Sequence, residues 1–176
     1  MCFVRRRYAA LSGLDVEFLL TIFEFRPVSI GSPLRLRFAE FNFFYSLHTI
    51  PCIGFKVTFA GKTIAFSGDH LNDADKINDL HSKGVLGDGR RDELLAFPWD
   101  ADLILHEAGV PPVHTPLATL KALPEDVRKR LLVVHSAAKD VPADSGLRRA
   151  QAGVENSIVC ATCFVCVCSQ VIWFSV

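Results

Sequence analysis

Residues 62–70 read KTIAFSGDH, a short apolar run that stops abruptly on a polar corner. Thr63, Ile64, Ala65 and Phe66 are rich enough in β-formers to predict a buried strand. Ser67 and Gly68 break it, and Asp69 and His70 fall where it ends. In layered α/β proteins the carboxyl ends of strands open into one crevice, so an acid placed there can meet residues from other strands. Three more strand-like runs end in the same way: Phe43–Leu47 on His48, Asp102–Leu105 on His106 and Glu107, and Leu131–Val134 on His135. Strands that end repeatedly on imidazole and carboxylate groups predict a metal site.

A chain of 176 residues, half of them hydrophobic, is long enough for one domain with a substantial core. Lys plus Arg equals Asp plus Glu at 19 each, so no net field favours nucleic acid or an anionic membrane. Arg5-Arg6-Arg7 is a small basic cluster of the kind found on solvated helix faces. The opening MCFVRRRYAA has no apolar stretch behind its charges and does not read as a signal peptide. Of six cysteines, four crowd the end of the chain and two stand alone, which is no disulfide framework; a reducing, cytoplasmic setting is expected.

In chain order, Arg5–Phe25 predicts a helix, with Leu14, Phe18, Leu19 and Ile22 at helical spacing and Pro27 as its stop. From Val28 to Phe66 the signal turns to β, and Leu34–Phe38 and Phe55–Phe59 alternate cleanly. Ala60-Gly61-Lys62 is tight enough to join two strands as a hairpin. Asn72–Lys83 reads as a polar helix capped by Asn72, and Arg90–Phe97 as a second short helix. Helical pieces at Leu117–Leu123 and Glu125–Arg130 precede the strand that ends at His135. Strands first, then strands alternating with helices, predict an α/β layered fold. Among the remaining residues, His70 and His81 are expected at the surface or behind the ligands. Asp73 and Asp75 are expected as N-terminal helix charges, and Cys52 as a small buried hydrophobe.

From Ile158 to Val176 no charged residue occurs. That run approaches the length of a membrane span, and Cys160, Cys163, Cys166 and Cys168 have a spacing that thiolate ligands of zinc or an iron–sulfur cluster can adopt. It lacks a histidine and an adjoining basic flank. An apolar strand, or a tail foreign to the parent domain, is the preferred reading.

Four motifs in order, YSLHTIPCIGFKV, IAFSGDHLND, ADLILHEAGVPPVHTP and LLVVHSAAKDVP, resemble the second half of a metallo-β-lactamase-fold hydrolase. The likeness is to the phosphodiesterase and ribonuclease Z-like branches, including proteins that join this fold to cyclic-nucleotide-binding domains. It implies an α/β fold that is the C-terminal half of an αββα sandwich, incomplete, over residues 1–156, with 157–176 as a Cys-rich tail of unknown role. It also implies two metal ions, usually zinc, in the parent family. By that resemblance His48, Asp69 and His135 are metal ligands, Asp69 being the bridging carboxylate. Glu107, in the His-Glu-Ala step, orients a ligand, and His114, in the His-Thr-Pro step, protonates the leaving group. The implied substrate is a small-molecule or nucleotide phosphodiester.

The family's main signature, His-x-His-x-Asp-His, does not occur in the sequence. Three of the usual ligands remain, so the expectation is at most one weakly bound zinc and little activity for the chain alone. Strands deprived of partners are expected to leave apolar surface uncovered and prone to association. Two other readings compete with the hydrolase fragment. One is a non-catalytic remnant or interaction module, and the other is a tail-anchored protein using Ile158–Val176.

Overall fold

The structure, a computed structural model, describes residue 13, residues 15–22 and residues 28–151. The basic cluster at Arg5–Arg7 and the Cys-rich run from Ile158 lie outside the described residues, as does most of the expected first helix, of which Val16–Ile22 (α1) is described.

Among the described residues one sheet of seven strands organises the fold, with neighbours in chain order throughout. Its strands are Leu34–Leu36 (β1), Ala39–Tyr45 (β2), Ile53–Phe59 (β3), Lys62–Phe66 (β4), Leu103–Glu107 (β5), Leu131–Val134 (β6) and Arg148–Arg149 (β7). The first four pair antiparallel and the last four parallel, β4 being the strand at which the direction rule changes. The hairpin between β3 and β4 is as the sequence predicts. Phe59 pairs with Lys62 across two residues, Ala60 and Gly61, whose φ angles of 49° and 73° are those of a turn that follows the twist of the strands. Parallel pairing, by contrast, needs long crossovers. Helices Ala74–Ser82 (α2) and Asp88–Leu95 (α3) fill the one from β4 to β5, and Leu117–Lys121 (α4) and Glu125–Arg130 (α5) the one from β5 to β6.

Alternation sorts the strand residues onto two different faces. On one face Ala65, Ile104, Leu131 and Val133 are fully buried against Phe97, Leu120 and Val127, and Phe44 and Trp99 pack at the margin. Each large aliphatic side chain buried there contributes about 1.5–3 kcal/mol. On the other face Phe41, Phe43, Phe55 and Phe66 form a row of ring contacts with centroids 5.3–6.3 Å apart. Phe41, Phe43, Val57, Ile64, Phe66 and Leu105 are only half-buried, and Leu36 and Phe59 are 48% and 40% exposed.

Several local expectations are corrected. The cap of α2 is Asp73, which accepts the Lys76 N–H, and not Asn72. Asn72 is drawn into the interior, where its backbone N–H donates to Thr115 and its side chain meets His106. β2 stops at Tyr45, so His48 stands three residues beyond a strand instead of directly at its end. β5 runs on through His106 and Glu107 because both pair with β6. Cys52 is half-buried, just before β3.

Candidate metal centre

The parallel strands open at their carboxyl ends onto the loops that carry the predicted residues. Beyond β4 the chain turns through Gly68, whose φ is +60°, and a Cβ added there would lie 2.5 Å from the Ile53 carbonyl oxygen. Only glycine fits, both for backbone angle and for space. The corner is then pinned by hydroxyl groups. Ser46 donates to the Ser67 carbonyl at 2.6 Å, and the Ser67 hydroxyl receives the Glu107 N–H at 3.0 Å. These bonds fix where Asp69 leaves the sheet. Beyond β6, His135 has a φ of +53°, a left-handed conformation that a non-glycine residue adopts at a cost and that is often found at functional sites.

Asp69, His114 and His135 each bring one donor atom into a group in which all atoms lie within 4.8 Å of one another. His135 Nδ1 is 2.8 Å from Asp69 Oδ1. The rings of His114 and His135 meet edge to face at 5.8 Å, and the rings of His48 and His114 lie 5.4 Å apart. Asp69 and His135 are therefore brought together as the sequence implied. The third member of the tight group is His114, and the His48 ring lies next to it. Imidazoles with a carboxylate are a donor set that suits zinc and similar ions. The residues also fit an ion electrostatically: His48 Nε2 and His114 Nδ1 are buried without a hydrogen-bonding partner, as is Glu107 Oε2.

Glu107 is the hub behind this group. One carboxylate oxygen accepts the Thr115 N–H at 2.9 Å and the His70 N–H at 3.3 Å. The other lies 3.0 Å from His114 Nδ1, a charge contact whose angles are not those of a hydrogen bond. Burial raises the Glu107 pKa above the ordinary carboxylate value, against the pull of the Thr115 N–H and of His114. Gly109 lets the His114 ring approach, since a Cβ there would fall 2.8 Å from that of His114.

Two supporting residues escaped sequence reasoning. Thr115 is fully buried; its hydroxyl donates to the His70 carbonyl at 2.5 Å and accepts the Asn72 N–H at 2.8 Å, so it ties the loop after β4 to the loop that carries His114. Ser67 plays the matching part between β4 and β5. His70, expected at the surface or behind the ligands, is buried, and its Nδ1 accepts the Leu47 N–H at 2.9 Å, next to His48. The signal for Thr115 was its place between a histidine and a proline at a turn, where a hydroxyl has backbone groups to satisfy. His106 is buried on the helix-covered face, stacked on Trp99 with ring centroids 5.4 Å apart, and does not enter the group. Burial lowers the His70 pKa to about 3 and the His106 pKa to about 4, so both rings are neutral. His81 lies away from the centre, paired with Asp88 at 2.7 Å.

The likeness carried by the four motifs is supported by comparison with known proteins. Over 153 residues, 87% of its length, the chain is 46% identical to a cGMP-dependent 3',5'-cGMP phosphodiesterase A of Dictyostelium discoideum. Over 152 residues, 86% of its length, it is 40% identical to a cAMP/cGMP-dependent 3',5'-cAMP/cGMP phosphodiesterase B of the same organism. The chain spans 18% and 14% of the length of these two relatives. Among solved structures it is similar to the metallo-β-lactamase fold protein YhfI from Bacillus subtilis, with a TM-score of 0.43 and 14% identity, over 68% of this chain and 47% of that one. No family model matches the sequence. The chain is phosphodiesterase-like in sequence and α/β in fold. No helix among the described residues is long and apolar enough to cross a membrane.

Proposed function

We propose that this chain supplies part of a metal-dependent phosphodiesterase centre, with zinc as the ion and a cyclic nucleotide phosphodiester as the substrate class. The observation that carries the reading is the convergence of Asp69, His114 and His135 within 4.8 Å, with His48 beside them. The two phosphodiesterase relatives support the substrate class. Asp69, His135 and His48 would hold a divalent ion, which would supply Lewis-acid activation of a water and charge compensation for a phosphodiester.

The chain's own residues have distinct tasks in this reading. Asp69, His135 and His48 hold the ion or ions, Asp69 because a carboxylate offers two oxygens. His114 and Glu107 act as a pair. With Nδ1 turned to the buried carboxylate, the ring has Nε2 left either to pass a proton to the leaving oxygen or to present a lone pair. Thr115 and Ser67 hold the loops in place, and a site that strays by a fraction of an ångström loses most of its rate. Turnover by this chain alone is slight, because the sequence contains no His-x-His-x-Asp-His to complete a two-ion clamp. Its cysteine usage favours a reducing, cytoplasmic setting.

Equilibrium dialysis tests the reading, with 3',5'-cyclic GMP and the purified chain, with and without zinc, beside Asp69→Ala. Zinc-dependent retention of the nucleotide that is lost in the variant is expected, together with trace hydrolysis of bis-p-nitrophenyl phosphate. Retention that ignores both zinc and the substitution removes the proposal.

A further inference from the structure

We propose that Ile50 and Val110 form an apolar rim that contacts the base of a cyclic nucleotide whose phosphodiester is handled at the metal centre. The proposal rests on the phosphodiesterase reading and adds to it the part of the substrate that the imidazole and carboxylate groups do not read.

Two loops of like construction carry these side chains. In the first, the Ser46 N–H donates to the Cys52 carbonyl at 3.0 Å and closes residues 47–51 into a loop. In the second, the Gly109 N–H donates to the Thr115 carbonyl at 3.0 Å and closes residues 110–114. Each loop holds one histidine of the candidate site, and the two rings lie 5.4 Å apart, so the loops meet there. Each loop also bonds its aliphatic residue to its own histidine. The Ile50 N–H donates to His48 Nδ1 at 3.3 Å, and the Val110 carbonyl accepts the His114 N–H at 3.4 Å.

Ile50 and Val110 are 61% and 78% exposed. Single exposed aliphatic residues are ordinary on a protein surface. These two are not scattered, because hydrogen bonds tie both to neighbouring imidazoles of one polar site. Exposed prolines extend each tip, Pro51 after Ile50, and Pro111 with Pro112 after Val110. A proline ring fixes φ, so these tips have little backbone freedom to lose when a ligand is ordered against them. The site thus pairs a charged interior with a stiff apolar rim. A nucleotide has the same two parts, a phosphodiester and a planar base with apolar faces. Every base presents such a face, so contact with aliphatic groups should hold guanine and adenine alike.

Equilibrium dialysis of the purified chain with zinc tests this, using 3',5'-cyclic GMP, 3',5'-cyclic AMP and the base-free ribose 3',5'-cyclic phosphate. The parent chain is expected to hold the two nucleotides alike, and about tenfold more tightly than the base-free ligand. Ile50→Ser and Val110→Ser are each expected to weaken retention of both nucleotides about threefold to tenfold and to leave that of the base-free ligand unchanged. Nucleotide retention that is unchanged in both variants, or a base-free ligand lost in step with the nucleotides, overturns the inference and leaves the phosphodiesterase reading standing. So does a parent chain that holds the base-free ligand as tightly as the nucleotides. Should a variant fail to fold, the unmutated chain decides. With carbon-13 in its isoleucine and valine methyl groups, cyclic GMP should shift the Ile50 and Val110 signals and the base-free ligand should not; signals that ignore a bound nucleotide, or that answer both ligands equally, overturn the inference. A parent chain that retains none of the three ligands overturns both readings.

Discussion

Thr115 offers the sharpest test of how the centre is held together. Thr115→Val keeps the side chain's shape and removes its hydroxyl. Two buried groups then lose their partner: the Asn72 N–H, which donates to that hydroxyl at 2.8 Å, and the His70 carbonyl, which accepts from it at 2.5 Å. A buried polar group left unsatisfied costs about 1–3 kcal/mol, so the pair costs roughly 2–6 kcal/mol. That is a large share of the roughly 5–15 kcal/mol that holds a domain folded, and it corresponds to a fall in Tm of about 5–15 °C. Thr115→Ser is the control. It keeps both hydrogen bonds and gives up one methyl group, for a loss of about 1 kcal/mol. Urea denaturation followed by tryptophan fluorescence separates the two variants. Equal losses in valine and serine variants would refute the claim that the hydroxyl, and not the packing of the methyl group, joins the two loops.

Two further outcomes are expected. Gly68→Ala places a Cβ 2.5 Å from the Ile53 carbonyl oxygen at a φ of +60°, so it should destabilise the fold and weaken zinc binding together; calorimetric unfolding and chelator competition report both, and a fold and affinity like the parent's would contradict the account of the Asp69 corner. The buried histidines make stability depend on pH. Their folded-state values, about 3 for His70 and about 4 for His106, lie below the ordinary 6.5. The unfolded chain therefore takes up protons that the folded chain refuses. Stability should be complete above about pH 6.5 and fall as the pH drops toward 4, by up to about 1.4 kcal/mol per pH unit for each ring. His70→Asn retains an acceptor for the Leu47 N–H and should remove one ring's share of that slope in denaturation midpoints taken across the range; an unchanged slope would contradict it.

The strands were legible because their burial is written in composition. β4 and β6 are short apolar runs, and the β3–β4 turn has the glycine that its geometry needs. Where expectation and structure part, a long-range contact decides. Asn72 looks like a cap until Thr115 and His106, both more than thirty residues away, take its N–H and its side chain. His106 and Glu107 look like a strand's end until pairing with Val133 and Val134 draws them into the sheet. Of the candidate site, Asp69 and His135 could be read from their positions after strands. The placing of His114 within the tight group could not, because its nearness to Asp69 depends on the loop from Gly109 to Pro116 folding back over Glu107. Thr115 carries no signal of its own beyond a turn composition.

The central claim is that the carboxyl edge of the sheet is a metal centre. It is tested most directly by crystals of the chain soaked in zinc, with anomalous difference maps measured on both sides of the zinc absorption edge. The account predicts a peak about 2.0–2.2 Å from an Asp69 oxygen and from a ring nitrogen of His135. A map with no peak there, or with zinc held only by the cysteines near the end of the chain, would contradict it.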